Sequence, residues 1–294
     1  MSTTRPPSPR TTPDLGAIFE SERPRLFALA YRMVGIVGDA EDVVQDAFLR
    51  LRGSTTAVVD SPPALLTTIV VRLCLDVLKS KRSQREQYDG LWLPEFLATH
   101  EQTIDRDSLA VAFMMLLETL SPDERAIYLL HEVFDYSHAE VGSMLDKTEE
   151  ACRQLLRRAR QRVGSREPRY VPSAAQSERL IATFIKTCAT GDVDGMRRLL
   201  TEDARAWADG GGKVTTARRA IDGADRVARY LIGIANRNRE QHFSVHTVEL
   251  NGAPGLLLRK GETLQTALLL GCTTELRIAY VALLRNPDKL RRLA

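Results

Sequence analysis

The sequence predicts a multidomain chain in which two all-α domains are followed by one α+β domain. Apolar residues recur every three or four positions through residues 15–85 and again through 109–165, which is the spacing of amphipathic helices. The stretches 86–108 and 166–175 lack this periodicity, contain proline, glycine and charged residues, and are typical of linkers. From residue 176 to the end, helical patterns give way to short apolar runs, which indicates an α+β unit.

The first helical domain is predicted to contain three helices, after a disordered tail at residues 1–14. Asp39 is expected to cap the second helix, because a short acidic side chain accepts hydrogen bonds from free backbone N–H groups. Ser61 and the two prolines after it are expected to begin the third helix, since proline is tolerated in the first turn. That helix ends in a basic tip near Arg82.

The second helical domain carries the clearest helix-start signals. Ser121 and Ser137 are each followed three residues later by glutamate, which is the spacing of a capping box. Residues 137–162 give a short helix, a tight turn and a longer helix, and this order predicts a DNA-binding helix-turn-helix. The buried stripe of the longer helix is expected to consist of Ala151, Leu155, Leu156 and Ala159.

The α+β domain, residues 176–294, is expected to start with helices and to end with antiparallel strands. Residues 176–200 read as two helices that separate at Gly191, and 222–236 read as a third. Four strand-like stretches follow, "HFSVHTVEL", "GLLLRK", "TLQTALLL" and "TELRIAYVALL". The pattern predicts a curved sheet that wraps its helices.

Composition excludes several classes of protein. The net charge of +3 is close to neutral, so contact with nucleic acid must depend on local basic clusters. The four cysteines have no paired spacing, which argues against a zinc site or a disulfide framework and suits the reducing cytoplasm. No apolar run has the length of a membrane helix. Neither a metal, a cofactor nor a catalytic residue set is predicted.

Two stretches resemble the sigma factors of the extracytoplasmic-function class, which are bacterial transcription initiation factors. "GDAEDVVQDAFLRL" at residues 38–51 resembles the region 2 helix that grips the RNA polymerase core. "LSPDERAIYLLHEVFDYSHAEVGSMLDKTEEACRQLLRRAR" at 120–160 resembles region 4 almost end to end. The resemblance implies that core RNA polymerase and promoter DNA are the partners.

The resemblance also implies a role for each set of residues. Docking on the polymerase core is expected of Asp39, Asp42, Gln45, Asp46 and Arg50. Opening and reading of the downstream (−10) promoter element is expected of Thr67, Arg72, Asp76, Lys79 and Arg82. Reading of the upstream (−35) element in the major groove is expected of Arg153, Gln154, Arg157, Arg158 and Arg160.

Three further motifs, "WLPEF", "DGGGK" and "NPDKL", resemble a subgroup with a C-terminal SnoaL-like domain, a cone-shaped α+β fold. In that subgroup the extension is thought to replace a separate anti-sigma protein, which implies a regulatory contact between these motifs. The expected contact residues are Trp92, Leu93, Pro94, Glu95, Asp209, Gly210, Gly211, Gly212, Lys213, Asn286, Pro287, Asp288, Lys289 and Leu290. Phe96 stands where members usually have proline, which predicts a less rigid linker.

Two alternatives stay open from the sequence. The chain could be a DNA-binding regulator whose SnoaL-like domain senses a small molecule, although such a protein has no need of region 2. It could instead be a cyclase- or isomerase-like enzyme fused to a DNA-binding module. In that case Asp209, His242 and His246 are the acid–base candidates, and the two histidines are expected to share one face of a strand.

Overall fold

The structure, a computed structural model, describes residues 14–53, 61–98, 110–164 and 172–293. The predicted tail at 1–14 lies outside these ranges except for Asp14, whose carboxylate caps the first helix. Much of both predicted linkers also lies outside them. The helices of the first two thirds are α1 (Leu15–Val34), α2 (Val37–Gly53), α3 (Pro62–Glu86), α4 (Val111–Leu117), α5 (Pro122–Glu132), α6 (His138–Leu145) and α7 (Glu149–Val163).

Regions 2 and 4 share one hydrophobic core. Helices α1–α3 form region 2, helices α4–α7 form region 4, and buried residues from both belong to a single apolar cluster. Leu29 of α1 and Leu130 of α5 are both fully buried in it. The two regions therefore form one closed body rather than two separately packed domains.

The C-terminal domain packs three helices against one face of a mixed sheet. Its elements are α8 (Ala174–Thr190), α9 (Val193–Leu199), β1 (Leu200–Asp209), β2 (Ile221–Asp222), α10 (Ala224–Arg237), β3 (Ser244–Leu250), β4 (Ala253–Lys260), β5 (Thr263–Cys272), β6 (Ile278–Leu284) and α11 (Pro287–Leu290). In the described residues the strand order is β2-β1-β6-β5-β4-β3. The predicted architecture, two all-α units followed by an α+β domain, is confirmed.

The sheet buries both of its faces, and the second face meets the linker. Leu270 and Val281 point toward the helices, whereas their neighbours Leu269 and Ala282 pack on the opposite side. That opposite side is covered by linker residues 91–97 and by α11. A surface that an isolated domain would expose is thus occupied by the same chain.

The strand β1 is the element that the sequence reading missed. It pairs in parallel with β6, so the sheet is not wholly antiparallel as expected. Alanines at 204, 206 and 208 are buried and alternate with more exposed residues, which is a strand pattern. Alanine and acidic residues are poor strand formers, and this obscured the period of two.

Candidate functional site

The helix-turn-helix comprises α6, a turn at Asp146 and Lys147, and α7. Both capping boxes predicted in region 4 are present: Ser121 and Ser137 accept hydrogen bonds from the backbone of the glutamates three residues on. Asp146 ends α6 in the left-handed conformation, with φ of 52°. A Cβ on Gly142 would lie 2.7 Å from the Lys147 carbonyl oxygen, so glycine allows the turn to fold tightly onto α6.

All five residues predicted to read the upstream element are exposed on α7. Arg153 contacts Glu149 and Glu150, and the Arg160 guanidinium lies 2.6 Å from Glu132. Arg157 and Arg158 have no ion-pair partner among the described residues. These two side chains are therefore the most available cations on the helix.

The buried side of α7 differs from the prediction. Leu156 and Ala159 are buried as expected, but Cys152 and Val163 complete the stripe, while Ala151 and Leu155 are only partly covered. The helix packs against α4, α5 and α6.

Glu124 fastens the start of α5 to the end of α7 and is 3% exposed. Burial alone would raise the pKa of this carboxyl, but hydrogen bonds from Ser121 and the Arg162 guanidinium outweigh it and hold the pKa below 4.5. The folded form therefore favours the carboxylate, and its stabilising effect is present above pH 4.5 and lost as the pH falls through the lowered pKa.

Glu124→Gln is expected to lower the free energy of unfolding of the protein at pH 7, because the ion pair with Arg162 is lost. The difference from the wild type should shrink as the pH falls from 4.5 toward the lowered pKa, and should be smallest below that pKa, where the folded wild-type carboxyl is neutral as well. Urea unfolding of both proteins between pH 3 and pH 7 measures this. A difference that does not change with pH would rule out the charge as its cause.

The predicted polymerase-docking residues lie along α2. Asp42, Gln45, Asp46 and Arg50 are exposed on one face, and Leu49 between them is 56% exposed. The fifth, Asp39, is 2.5 Å from Lys81 of α3. Most of this face is accessible in the closed chain.

The cap of α2 comes from the linker and not from Asp39, which corrects the sequence prediction. The helix begins at Val37, two residues before Asp39, and the Val37 N–H donates to the Glu95 carboxylate at 2.7 Å. Burial raises the pKa of Glu95, although this hydrogen bond and the nearby Arg292 and Lys289 oppose the shift. A linker residue thus completes the helix expected to dock on polymerase.

Region 4 covers part of α3, the helix predicted to read the downstream element. Thr67 is fully buried, and its hydroxyl accepts hydrogen bonds from Arg25 at 2.8 Å and from Tyr136 of region 4 at 3.2 Å. Arg72 donates to the Met144 carbonyl at 2.9 Å and lies 3.0 Å from Asp146 in the helix-turn-helix turn.

The other predicted readers of the downstream element lie beyond Arg72 on α3. Asp76 and Lys79 are exposed farther along α3. Arg82 lies in the last part of the helix, where only the backbone is described. The structure therefore covers Thr67 fully and Arg72 in part, since the Arg72 side chain is still 48% exposed, and leaves Asp76 and Lys79 open.

Arg125 anchors region 4 to region 2. Its guanidinium is 3% exposed and donates to the Met33 carbonyl of α1 at 2.7 Å and to the Leu117 carbonyl at 3.0 Å. Glu118 balances the charge at 2.7 Å. This network lies at the boundary of the two regions, and the sequence reading gave no indication of it.

The three motifs of the C-terminal subgroup meet at one buried junction, which we call the linker junction. Its centre is the Asp209 carboxylate, at the end of β1 and 0% exposed. The carboxylate accepts hydrogen bonds from the Leu93 N–H at 2.9 Å, the Gly211 N–H at 2.9 Å and the Tyr88 hydroxyl at 2.5 Å. Asp209 therefore binds the linker and the glycine loop at once.

Lys289 of α11 supplies the positive charge of the linker junction. Its ammonium is 2.8 Å from the Asp209 carboxylate and also donates to the Leu93 carbonyl oxygen. The same group lies 4.1 Å from the centre of the Trp92 ring, a cation–π distance. Because both charged side chains are buried, each depends on the other to offset its desolvation.

The glycine loop fits closely against the tail. A Cβ on Gly210 would lie 2.0 Å from the Val214 carbonyl oxygen, and one on Gly211 would lie 2.4 Å from Asn286. The Gly212 φ is +70°. Lys213 pairs with Asp288 at 2.6 Å on the exposed rim.

The linker also bonds region 2 to the C-terminal domain. The Tyr31 hydroxyl of α1 donates to the Glu95 carbonyl oxygen and accepts from the Asn251 side chain at 2.9 Å. Asn251 accepts in turn from the Leu97 N–H at 2.8 Å. Sequence reasoning missed Tyr31, Tyr88 and Asn251, because residues so far apart along the chain show no shared spacing.

Other motif residues fill the space around these bonds. Leu93 and Phe96 are buried in the apolar face of the sheet, together with Leu290. Pro94 is buried as well, whereas Pro287 is exposed at the start of α11. Phe96 is 2% exposed and anchors the linker on the sheet, while the loss of rigidity expected from the missing proline stays a prediction.

The acid–base candidates do not form one site. All oxygen positions of Asp209 are engaged in the linker junction, as given above. His246 lies on β3, four strands away from β1, or roughly 19 Å at about 4.8 Å per strand. His242 precedes β3 in a left-handed conformation, so the expectation that the two histidines share one strand face is wrong.

The described ranges contain neither a membrane-spanning helix nor a metal-binding group of side chains. No helix in them is both long and apolar enough to cross a membrane. Nor do they contain a group of three or more His, Cys, Asp or Glu side chains that could hold a metal ion.

The chain is similar to known sigma factors along most of its length. The families described as "Sigma-70 region 2" and "Sigma-70, region 4" match residues 18–84 and 110–163. The ECF RNA polymerase sigma factor SigJ of Mycobacterium tuberculosis is 39% identical over 248 residues, which cover 81% of this chain and 78% of SigJ.

Two solved structures of sigma factors are also similar to the chain, to different degrees. A crystal structure of the Mycobacterium tuberculosis sigma factor SigJ covers 94% of this chain and 98% of its own, with a TM-score of 0.73 and 33% identity. The sigma factor RpoE from Bartonella quintana, solved in complex with the anti-sigma factor NepR, covers 51% of this chain and 94% of its own, with a TM-score of 0.42 and 19% identity. On the strength of the SigJ similarity and the two family matches, this chain belongs to the ECF RNA polymerase sigma factors.

Proposed function

We propose that this ECF sigma factor, which binds core RNA polymerase and recognises promoters, is regulated by its own C-terminal domain through the linker junction. The observation that carries the proposal is the buried Lys289–Asp209 pair, which fixes the linker on the C-terminal domain. The same linker caps α2 through Glu95. A change in the junction is therefore transmitted to the helix expected to meet polymerase.

A second contact supports regulation at α2. Arg292, behind α11, lies 2.7 Å from Glu41 in the first turns of α2, and this hydrogen bond raises the pKa of the Arg292 guanidinium. Glu41 is adjacent to Asp42, one of the predicted docking residues. The tail of the chain thus occupies the edge of the polymerase-docking face and competes with polymerase for it.

Other parts of the proposal follow from the family and the junction. The protein acts in the cytoplasm, and its C-terminal domain has a regulatory rather than a catalytic role. It needs no separate anti-sigma protein, in contrast to RpoE, which was solved with NepR. A small-molecule signal would act at the cleft of about 180 Å³ beside the junction, whose lining includes Asp89, Gly212 and Arg218.

Arg292→Glu is expected to strengthen binding of core polymerase, because repulsion from Glu41 replaces an ion pair and uncovers the docking face. The affinity should rise about twofold to fivefold, as for an exposed ion pair of up to about 1 kcal/mol. Promoter-specific transcription by purified core polymerase should rise in parallel. The measurement is fluorescence-detected binding of core polymerase, followed by transcription from a promoter selected in the same assay.

Arg291→Glu is the matched control, since Arg291 is the neighbouring arginine but pairs with Asp288 rather than with α2. A second variant removes the chain from Asn286 onward and with it Lys289. It is expected to change promoter output while regions 2 and 4 keep their helical signal. If both variants transcribe like the full chain, the C-terminal domain has no regulatory role.

A further inference from the structure

The two DNA-reading helices are not equally accessible in the closed chain. On α7 the predicted upstream readers are all exposed, and that helix packs on α4, α5 and α6 of its own region. On α3 the first two predicted downstream readers, Thr67 and Arg72, are engaged by region 4. In this one conformation, therefore, the predicted upstream readers are exposed while Thr67 and Arg72 are bonded to region 4.

The cover over α3 is made by two contacts from region 4. The first is the turn of the helix-turn-helix, where Met144 and Asp146 hold the Arg72 guanidinium. The second is Tyr136, which bonds both Thr67 and Arg25 at 3.2 Å. We call these two contacts the α3 latch. A nucleic-acid strand cannot reach Thr67 or the bonded side of Arg72 while the latch is closed.

The α3 latch leaves the predicted upstream-reading surface of α7 free, because none of the latch contacts comes from α7. Arg157 and Arg158 carry no ion pair within the described part of the chain, so their charge is available to phosphates or guanine edges. The carboxylates Glu149 and Glu150, which would repel phosphate, are contacted by Arg153. Duplex DNA is the partner that fits an exposed, arginine-bearing helix after a tight turn.

We infer that the polymerase-free protein is a half-open promoter reader, which binds duplex DNA through Arg157 and Arg158 while the α3 latch excludes single-stranded DNA from the first half of α3, at Thr67 and the bonded side of Arg72. This inference rests on the proposed function for the identity of the two DNA surfaces. It adds an activity without polymerase and a defined order, in which upstream contact precedes downstream opening.

The test measures binding without polymerase. The probes are a duplex of randomised sequence and a single strand of the same length, each followed by fluorescence anisotropy with the full chain. The wild type should bind the duplex with a steep salt dependence and the single strand weakly. Arg157→Ala combined with Arg158→Ala should lower the slope of log affinity against log salt by about two, or about one for each arginine. Arg179→Ala, an exposed arginine on α8, is the control.

Asp146→Gly removes the carboxylate from the first half of the latch and leaves the Met144 carbonyl in place; it causes no strain, because glycine adopts the left-handed angle at no steric cost. Single-strand affinity should rise about threefold, as expected for loss of an exposed ion pair, and should rise further when Tyr136→Phe is added. Duplex affinity should not change. Asp135→Gly is matched to it, since Asp135 also has a left-handed φ, at 56°, and lies in region 4 but is exposed and outside the latch.

Two results would overturn the inference. One is a duplex affinity that does not depend on Arg157 and Arg158. The other is a single-strand affinity of the Asp146→Gly, Tyr136→Phe protein that equals that of Asp135→Gly. Because polymerase is absent, these results differ from failure of the proposed function, which would appear only as unchanged polymerase binding and transcription in the tail variants.

Discussion

Lys289→Met is expected to lower the free energy of unfolding of the C-terminal domain by about 3–5 kcal/mol, the usual effect of removing one partner of a buried ion pair. Lys289 is 6% exposed and Asp209 is 0% exposed, so the variant would leave the buried carboxyl without its cationic partner. The Leu93 carbonyl oxygen would lose its donor as well. The linker should detach from the sheet face as a result.

Hydrogen exchange is the appropriate measurement, because it reports opening of the linker and of the sheet separately. The amides of residues 92–97 should lose protection first. Lys213→Met makes the same chemical change in the 55% exposed pair with Asp288 and should cost about 1 kcal/mol or less. Equal losses in the two variants would show that burial does not give the Lys289 pair its importance.

Arg125→Met is expected to weaken the contact between regions 2 and 4 by about 3–5 kcal/mol. The carbonyl oxygens of Met33 and Leu117 lose their donor, and Glu118 loses its counter-charge, in a site where Arg125 is 3% exposed. Small-angle scattering should show a larger radius of gyration, and urea should separate the unfolding of the two regions.

Arg160→Met is the control for that variant. Arg160 also pairs with a glutamate at 2.6 Å, but it is 56% exposed and its partner Glu132 belongs to the same region. It should leave both the radius and the unfolding profile nearly unchanged. A compact Arg125→Met protein would mean that the shared apolar core alone holds the regions together.

The local elements of region 4 could be predicted because their signals are local. A capping serine and a glutamate three residues later act within one helical turn, and both boxes form as written in the sequence. The length of α3 could be predicted despite its β-branched residues, since a segment of 25 residues is too long for one strand.

For the contacts that join the domains, the sequence predicts which motifs meet but not which residues form the bonds. "WLPEF", "DGGGK" and "NPDKL" identify the surfaces that meet, but no spacing indicates that Tyr88 would bond Asp209 or that Tyr31 would bond Asn251. Asp39 illustrates the limit well. Its residue type and position suit a helix cap, yet a carboxylate 58 residues away from Val37 takes that place.

The cap that Glu95 gives to α2 limits how this protein can exchange parts with its relatives. A recombinant that acquired a new C-terminal domain at residue 176 would keep a linker shaped for the old sheet face and the old lysine. The segment from Tyr88 to Leu97 contacts α2, the sheet and α11, so it must match all three partners. A chimaera with its crossover on the N-terminal side of Tyr88 keeps the contacts of this segment with the sheet and α11, but its Glu95 must still fit the α2 of the other parent.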